Sequence, residues 1–340
     1  MPIVPFLPIL IVGTLRQDYL IAPGGKSLDN IPGGHLFYTA LSAHHWENLI
    51  GLVSRIGPSY PTEWVDNLAS IGMDTRGIKR TALPIEHRFF IHSDSDNQKS
   101  TLYPMAQYAN EGLPFPKGLL GYNQEIQKID SLTEKNNETI IAREIPADYL
   151  ETPFIHFCPM DYLTHNLLTQ HFVQFGQKRI SLRSGEGYMV PQFWNAMPTL
   201  LGTLTVFITT DSSLRSLFAE QRGANLLDRM KHISDWGPEY VVVLRDDRSA
   251  VLWDRNNNTQ YLSELYPTKI VNLTGVKDAF CGGIIECLRK TFDPVESLIA
   301  GNVAASFAIE ATHPFYTLDV VPGLHEARAD FLRDRLKTIQ

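Results

Sequence analysis

Short continuous apolar runs, each followed by a stretch of helical periodicity, recur along most of this chain, and that alternation limits the folds open to it. Residues 8–12 (Pro-Ile-Leu-Ile-Val) end at Gly13 and read as a buried central strand. Residues 49–54 form a second strand, and 60–71 carry Trp64, Val65, Leu68 and Ile71 at helical spacing before Gly72. Further strands are expected near 154–158, 179–182, 204–208 and 240–244, separated by helical stretches such as 214–231. Such alternation implies a mostly parallel sheet covered on both faces, with ligands gathered beyond the carboxyl ends of its strands.

The texture changes between 81 and 108. Short β runs at 89–92 and 101–103 flank the polar turn 93–99 and read as a hairpin that could cover a crevice. Residues 111–143 are polar and turn-rich and read as a connection. The stretch 294–310 predicts a tightly packed helix, and 326–339 a charged amphipathic helix at the surface.

Composition mainly excludes. With 44% hydrophobic and 20% charged residues and a net charge of −7 over 340 residues, the chain reads as a soluble globular protein with no general attraction to nucleic acid or anionic membrane. Cys158, Cys281 and Cys287 lack metal-ligand spacing and suit a reducing cytoplasmic setting. The apolar opening is broken by Pro2, Pro5 and Pro8, so neither a secretory leader nor a membrane span is expected. None of the eleven histidines sits in a ligand pattern, so no metal cage is expected. Gly-x-Ser-x-Gly is absent, and so is Gly-x-Gly-x-x-Gly near the first strand, which argues against a hydrolase triad and a nicotinamide dehydrogenase.

The chemistry concentrates in Thr274-Gly275-Val276-Lys277-Asp278-Ala279-Phe280-Cys281-Gly282-Gly283. Residues 269–273 alternate and predict a strand, while Phe280, Ile284, Ile285 and Leu288 form a helical stripe. A strand feeding a glycine turn into a helix leaves first-turn amides free to bind an anion. Asp278 at that helix start is either an ordinary cap or a base beside the anion hole. Earlier, Asp18 follows the first strand in a loop, and Pro32-Gly33-Gly34 opens a helical run from His35 to His45. Gly24-Gly25-Lys26-Ser27 matches the end of a P-loop by chance, because Leu20 stands where its first glycine belongs.

Together these features resemble the ribokinase or PfkB carbohydrate kinase family, over about residues 9–322. The late stretch is similar to that family's Asp-Thr-Thr-Gly-Ala-Gly-Asp-Ala-Phe-x-Gly-Gly. The early signature fits through Gly13, Asp18, Gly33-Gly34, Val53-Ser54-Arg55-Ile56-Gly57 and Ile71-Gly72-Met73-Asp74-Thr75. The resemblance implies a single α/β domain over 1–340, a Rossmann-like three-layer sandwich with a mostly parallel sheet and a β lid from about 14–32 and 81–112. It implies ATP with Mg²⁺ as donor and a sugar or nucleoside-like hydroxyl as acceptor. Asp278 would be the base, with Gly275 and Lys277 beside it. Thr274, Gly275, Val276 and Lys277 would hold phosphate, Asn302 would lie near adenine, and Asp18, Gly33, Gly34 and Tyr38 would line the acceptor site. An exposed lid strand could pair with a second copy in a homodimer.

The chain also departs from the pattern. Lys277 replaces the second motif glycine, and Tyr38 an asparagine of the acceptor site. The family's Asn-x-x-Glu falls near Thr210 to Ser213, with neither residue type kept, and its Leu-Gly-x-Lys-Gly turn becomes Arg245-Asp246-Asp247-Arg248-Ser249. These departures support a rival reading, a catalytically impaired member that binds a small ligand or a protein partner.

Overall fold

A computed structural model describes residues 6–94, 96, 98–122, 129–221, 223–311 and 313–339. The start of the apolar opening and positions 95 and 97 of the expected turn lie outside them. In chain order the strands are β1 (Ile9–Val12), β2 (Arg16–Ala22), β3 (Lys26–Gly33), β4 (Ile50–Ile56), β5 (Asp74–Arg80), β6 (Arg88–Ser93), β7 (Lys99–Ser100), β8 (Ile155–Phe157), β9 (Ile180–Arg183), β10 (Val206–Thr210), β11 (Tyr240–Leu244), β12 (Ala250–Asp254), β13 (Thr259–Ser263) and β14 (Lys337–Ile339). The α-helices are α1 (His35–His44), α2 (Thr62–Ser70), α3 (Pro104–Asn110), α4 (Tyr162–Gln174), α5 (Met197–Leu201), α6 (Asp211–Leu217), α7 (Leu226–Asp235), α8 (Val276–Thr291), α9 (Pro294–Glu310) and α10 (Leu324–Arg333).

Ten strands form one sheet in the order β14-β13-β12-β11-β10-β9-β8-β1-β4-β5. From β11 to β5 every pairing is parallel, while β12, β13 and β14 add antiparallel strands at the other end. Alternate side chains of β1 explain the layering. Leu10 and Val12 join a core with Leu168, Leu200, Leu214 and Met230 of α4 to α7, whereas Ile9 and Ile11 join Leu36, Leu68, Ile284 and Leu298 of α1, α2, α8 and α9. The central strands are buried on both faces, as their unbroken apolar runs require. A four-stranded sheet, β3-β2-β6-β7, forms the lid. None of the described helices is long and apolar enough to cross a membrane.

Several expectations need correction. Asp18 lies within lid strand β2 and not in a loop. The second lid run is β7, because Tyr103 takes a left-handed φ of 55° and Pro104 starts α3, which ends any extended chain there. The single helix expected over 214–231 is two, since Asn225 caps α7 and Gly223 turns the chain at φ 89°. Residues 269–273 are not a strand: Val271 and Asn272 donate their amides to the Ile309 carbonyl at the end of α9. The tail is α10 followed by β14, which pairs with β13.

Helix α8, which carries Asp278, is wedged between α1 and α9 through its glycine pair. A Cβ at Gly282 would lie 2.5 Å from the Thr39 carbonyl oxygen, and one at Gly283 2.6 Å from that of Ala300. Ser42 Oγ donates to the Ala279 carbonyl across the first contact at 2.7 Å. Gly282→Val should therefore force the helices apart and lower stability by about 2–3 kcal/mol, read as a reduced urea midpoint at unchanged slope.

Candidate active site

The sequence places Asp278 at a helix start, and the structure shows what its carboxylate touches there. Gly275 is the N-cap of α8, with a φ of 73° that a side chain would strain, and Asp278 is the third helical residue. Its carboxylate does not cap the helix. Oδ1 accepts from Arg183 Nη1 at 2.5 Å and from His35 Nδ1 at 2.9 Å. Arg183 ends β9 and His35 begins α1, so the base candidate is held at the carboxyl end of the sheet, where the switch-point rule expects a ligand. Burial alone would raise the Asp278 pKa, but the charges of His35 and Arg183 more than offset it, and the carboxyl lies below its ordinary value.

Because α8 has no side-chain cap, the amides of Val276, Lys277 and Asp278 in its first turn have no helical carbonyl or capping side chain as partner. Thr274 is buried, and its own amide donates to Asn272 Oδ1 at 2.9 Å. Lys277 is exposed along much of its length; partial desolvation and the Arg183 guanidinium lower its ammonium from the ordinary value.

On the acceptor side, Asp18 is 2% exposed. Tyr38 donates its hydroxyl to Asp18 Oδ2 at 2.9 Å, and a Cβ at Gly33 would sit 2.0 Å from that same oxygen. Glycine at 33 is thus what admits the carboxylate, while Gly34 is the N-cap of α1. Desolvation raises the Asp18 pKa to about 6, more than Tyr38, His35 and Arg16 can lower it. The Tyr38 ring also lies against Gly275, where a Cβ would approach its Cδ1 and Cγ to 2.4 Å. One tyrosine therefore spans from the Asp18 carboxylate to the glycine turn at the start of α8.

Two further groups, Lys99 and Arg183, carry no sequence motif. Lys99 of lid strand β7 donates Nζ to the Leu273 carbonyl at 2.5 Å, reaching from the lid to the edge of the anion hole. Arg183 could have been found as a charged residue at the carboxyl end of an expected parallel strand. Lys99 could not, since it lies in an unremarkable polar turn.

A cavity of about 430 Å³ lies at the β11–β12 turn, lined by Arg245, Asp247, Arg248 and Ser249 together with Tyr266 and Pro267. Arg248 adopts a left-handed φ of 67° there, the conformation that glycine takes most easily. Asn302 does not line the cavity: it is 1% exposed and donates its amide to Ser263 Oγ at 2.7 Å. Its link to that region runs through β13.

A family model for pfkB family carbohydrate kinases matches residues 178–318, which include α8 and its glycine turn. The chain is 23% identical over 286 residues to a cytidine kinase of Thermococcus kodakarensis, covering 82% of this chain and 87% of the relative. Its fold is similar to a candidate ribokinase II of E. coli solved with ATP and Mg²⁺, with a TM-score of 0.67, 16% identity and 96% and 100% of the two chains covered. A ribokinase of Arabidopsis thaliana solved with ribose and ATP aligns with a TM-score of 0.65 at 13% identity, over 97% and 99% of the chains. These solved structures establish the fold, and the family model falls on the stretch 178–318 that carries Arg183 and Asp278. The chain has the ribokinase-like fold and is similar to the ribokinase/PfkB carbohydrate kinase family, whose model matches residues 178–318.

Proposed function

We propose that this protein transfers the γ-phosphoryl group of ATP to a hydroxyl of a sugar or nucleoside, with Asp278 as the base. The observation that carries this reading is a buried carboxylate in the first turn of an uncapped helix, beside a second buried carboxylate that can accept from a substrate hydroxyl. Both donors to Asp278 among the described residues meet Oδ1, so Oδ2 is the oxygen assigned to the incoming hydroxyl. As that hydroxyl oxygen bonds to the γ-phosphorus and the bond to the β-phosphate oxygen breaks, Asp278 takes the proton. The first-turn amides of α8 hold the charge on the transferring oxygens.

The cavity beside the β11–β12 turn suits a nucleoside, and the crevice suits its phosphates. Mg²⁺ would enter with the donor's phosphates and not in a ready-made protein cage. Thr210 is occupied as the cap of α6, Asp211 pairs with Arg215 at 2.8 Å, and no group of three or more acidic, histidine or cysteine residues able to hold a metal occurs among the described residues. The cytidine kinase relative and the ribose-bound ribokinase support both acceptor classes.

The test is ADP release with Mg·ATP across a panel of sugars and nucleosides. Turnover of one acceptor well above the rest is expected. No turnover, with no calorimetric heat from millimolar nucleotide, would instead favour the binding-only reading.

A further inference from the structure

Three cations converge on the mouth of the anion hole from three separate elements. Arg183 comes from β9, Lys277 from the first turn of α8, and Lys99 from lid strand β7. Arg183 is 9% exposed and bound to Asp278, and the Lys99 ammonium is fixed to the Leu273 carbonyl immediately before the glycine turn. Each lysine feels the other cations: Lys99 is disfavoured by Lys277 and Arg183, and Lys277 by Arg183.

Like charges gathered at the positive end of a helix repel, and Asp278, Asp18, Glu186 and Asp246 offset that repulsion only in part, since both lysines keep a lowered pKa. The arrangement is relieved when a polyanion enters. Lys277 feels Glu186 and then Asp246, which belongs to the turn that lines the nucleoside-sized cavity, so one of its attractions points from Asp278 toward that cavity. This direction favours the phosphate chain of the donor over a phosphate on the acceptor.

We propose that Lys99, Arg183 and Lys277 form a cation cradle for the donor's phosphates, with the lid supplying one of its three charges. The inference rests on the kinase reading. It makes Lys99 and Lys277 phosphate-binding residues and couples donor binding to the lid position. The cradle also offers charge neutralisation where the described residues form no cluster of three or more metal ligands.

Calorimetry on the full chain at fixed Mg²⁺ tests this, using the β,γ-imido analogue of ATP, adenosine and a sugar phosphate as probes. Lys277→Ala and Lys99→Met should each weaken the analogue roughly 10–100-fold while adenosine binds within twofold, which also shows that the variants fold. Desolvation of its ammonium together with Lys277 and Arg183 lowers the Lys99 pKa to about 8, against the opposing pull of Asp278 and Asp18. Analogue affinity should therefore fall above about pH 8 in the parent and stay level in Lys99→Arg, whose guanidinium keeps its charge. Equal loss for analogue and adenosine, no loss for either, or a loss confined to the sugar phosphate would each overturn the cradle. Selective loss in a protein that turns over no acceptor would uphold the cradle and remove the kinase reading.

Discussion

Asp278→Asn is expected to lower kcat by roughly 10²–10⁴-fold with the best acceptor, the usual cost of deleting a positioned general base. Asparagine keeps the size of the side chain and can still accept from Arg183 or His35, so the crevice should retain its shape. What it loses is the charge that balances Arg183 and that, in the proposed mechanism, draws the proton from the hydroxyl. A parallel loss of about 3 kcal/mol in stability is expected, because a buried guanidinium loses its counter-ion. Adding Arg183→Met should recover part of that stability without restoring activity. The sign with pH follows from the direction of the shift. The folded pKa of Asp278 is depressed, so its stabilising contribution is present above the ordinary value of 3.8 and is lost as pH falls through the folded value. A kcat loss smaller than tenfold would remove Asp278 from the role of base.

Asp18→Asn should have the opposite effect on stability. The folded pKa of Asp18, about 6, exceeds its ordinary 3.8, so this carboxyl favours the folded state below about pH 4, and that contribution is lost as pH rises through 6. At pH 8 the ionised group costs on the order of 2–3 kcal/mol. The asparagine variant should therefore unfold at higher urea than the parent at pH 8, with the gap closing below pH 4. Its kcat/KM for the acceptor should fall roughly 10–100-fold, since a neutral amide replaces a charged hydrogen-bond acceptor. In the parent, acceptor KM should rise as pH drops below 6. A variant less stable than the parent at pH 8 would show that the buried charge is compensated in some other way.

Much of this architecture was legible. Apolar runs marked β1, β4 and β8 to β11 because central parallel strands are buried on both faces, and α9 announced itself through small residues at packing positions. Strand β5 left no such trace: Asp74-Thr75-Arg76-Gly77-Ile78-Lys79-Arg80 is an edge strand with mostly solvated side chains. Residues 269–273 misled in the other direction, since their alternation reflects packing beside α9 and not a place in the sheet. Of the site, Asp278, Asp18 and the glycine turns were readable because helix starts and tight approaches demand particular residue types. His35, Arg183 and Lys99 come from distant parts of the chain, and only the fold brings them together.

The contact between Tyr38 and Gly275 also constrains the routes by which this site can change. Any side chain at 275 would overlap the ring, and the ring's hydroxyl is committed to Asp18. Substitutions at the two positions are therefore order-dependent: a smaller residue at 38 must be accepted before 275 can vary, and not the reverse. In a randomised library, the two sites should behave as a single inherited unit, with survivors at 275 found only on backgrounds where the tyrosine has already gone.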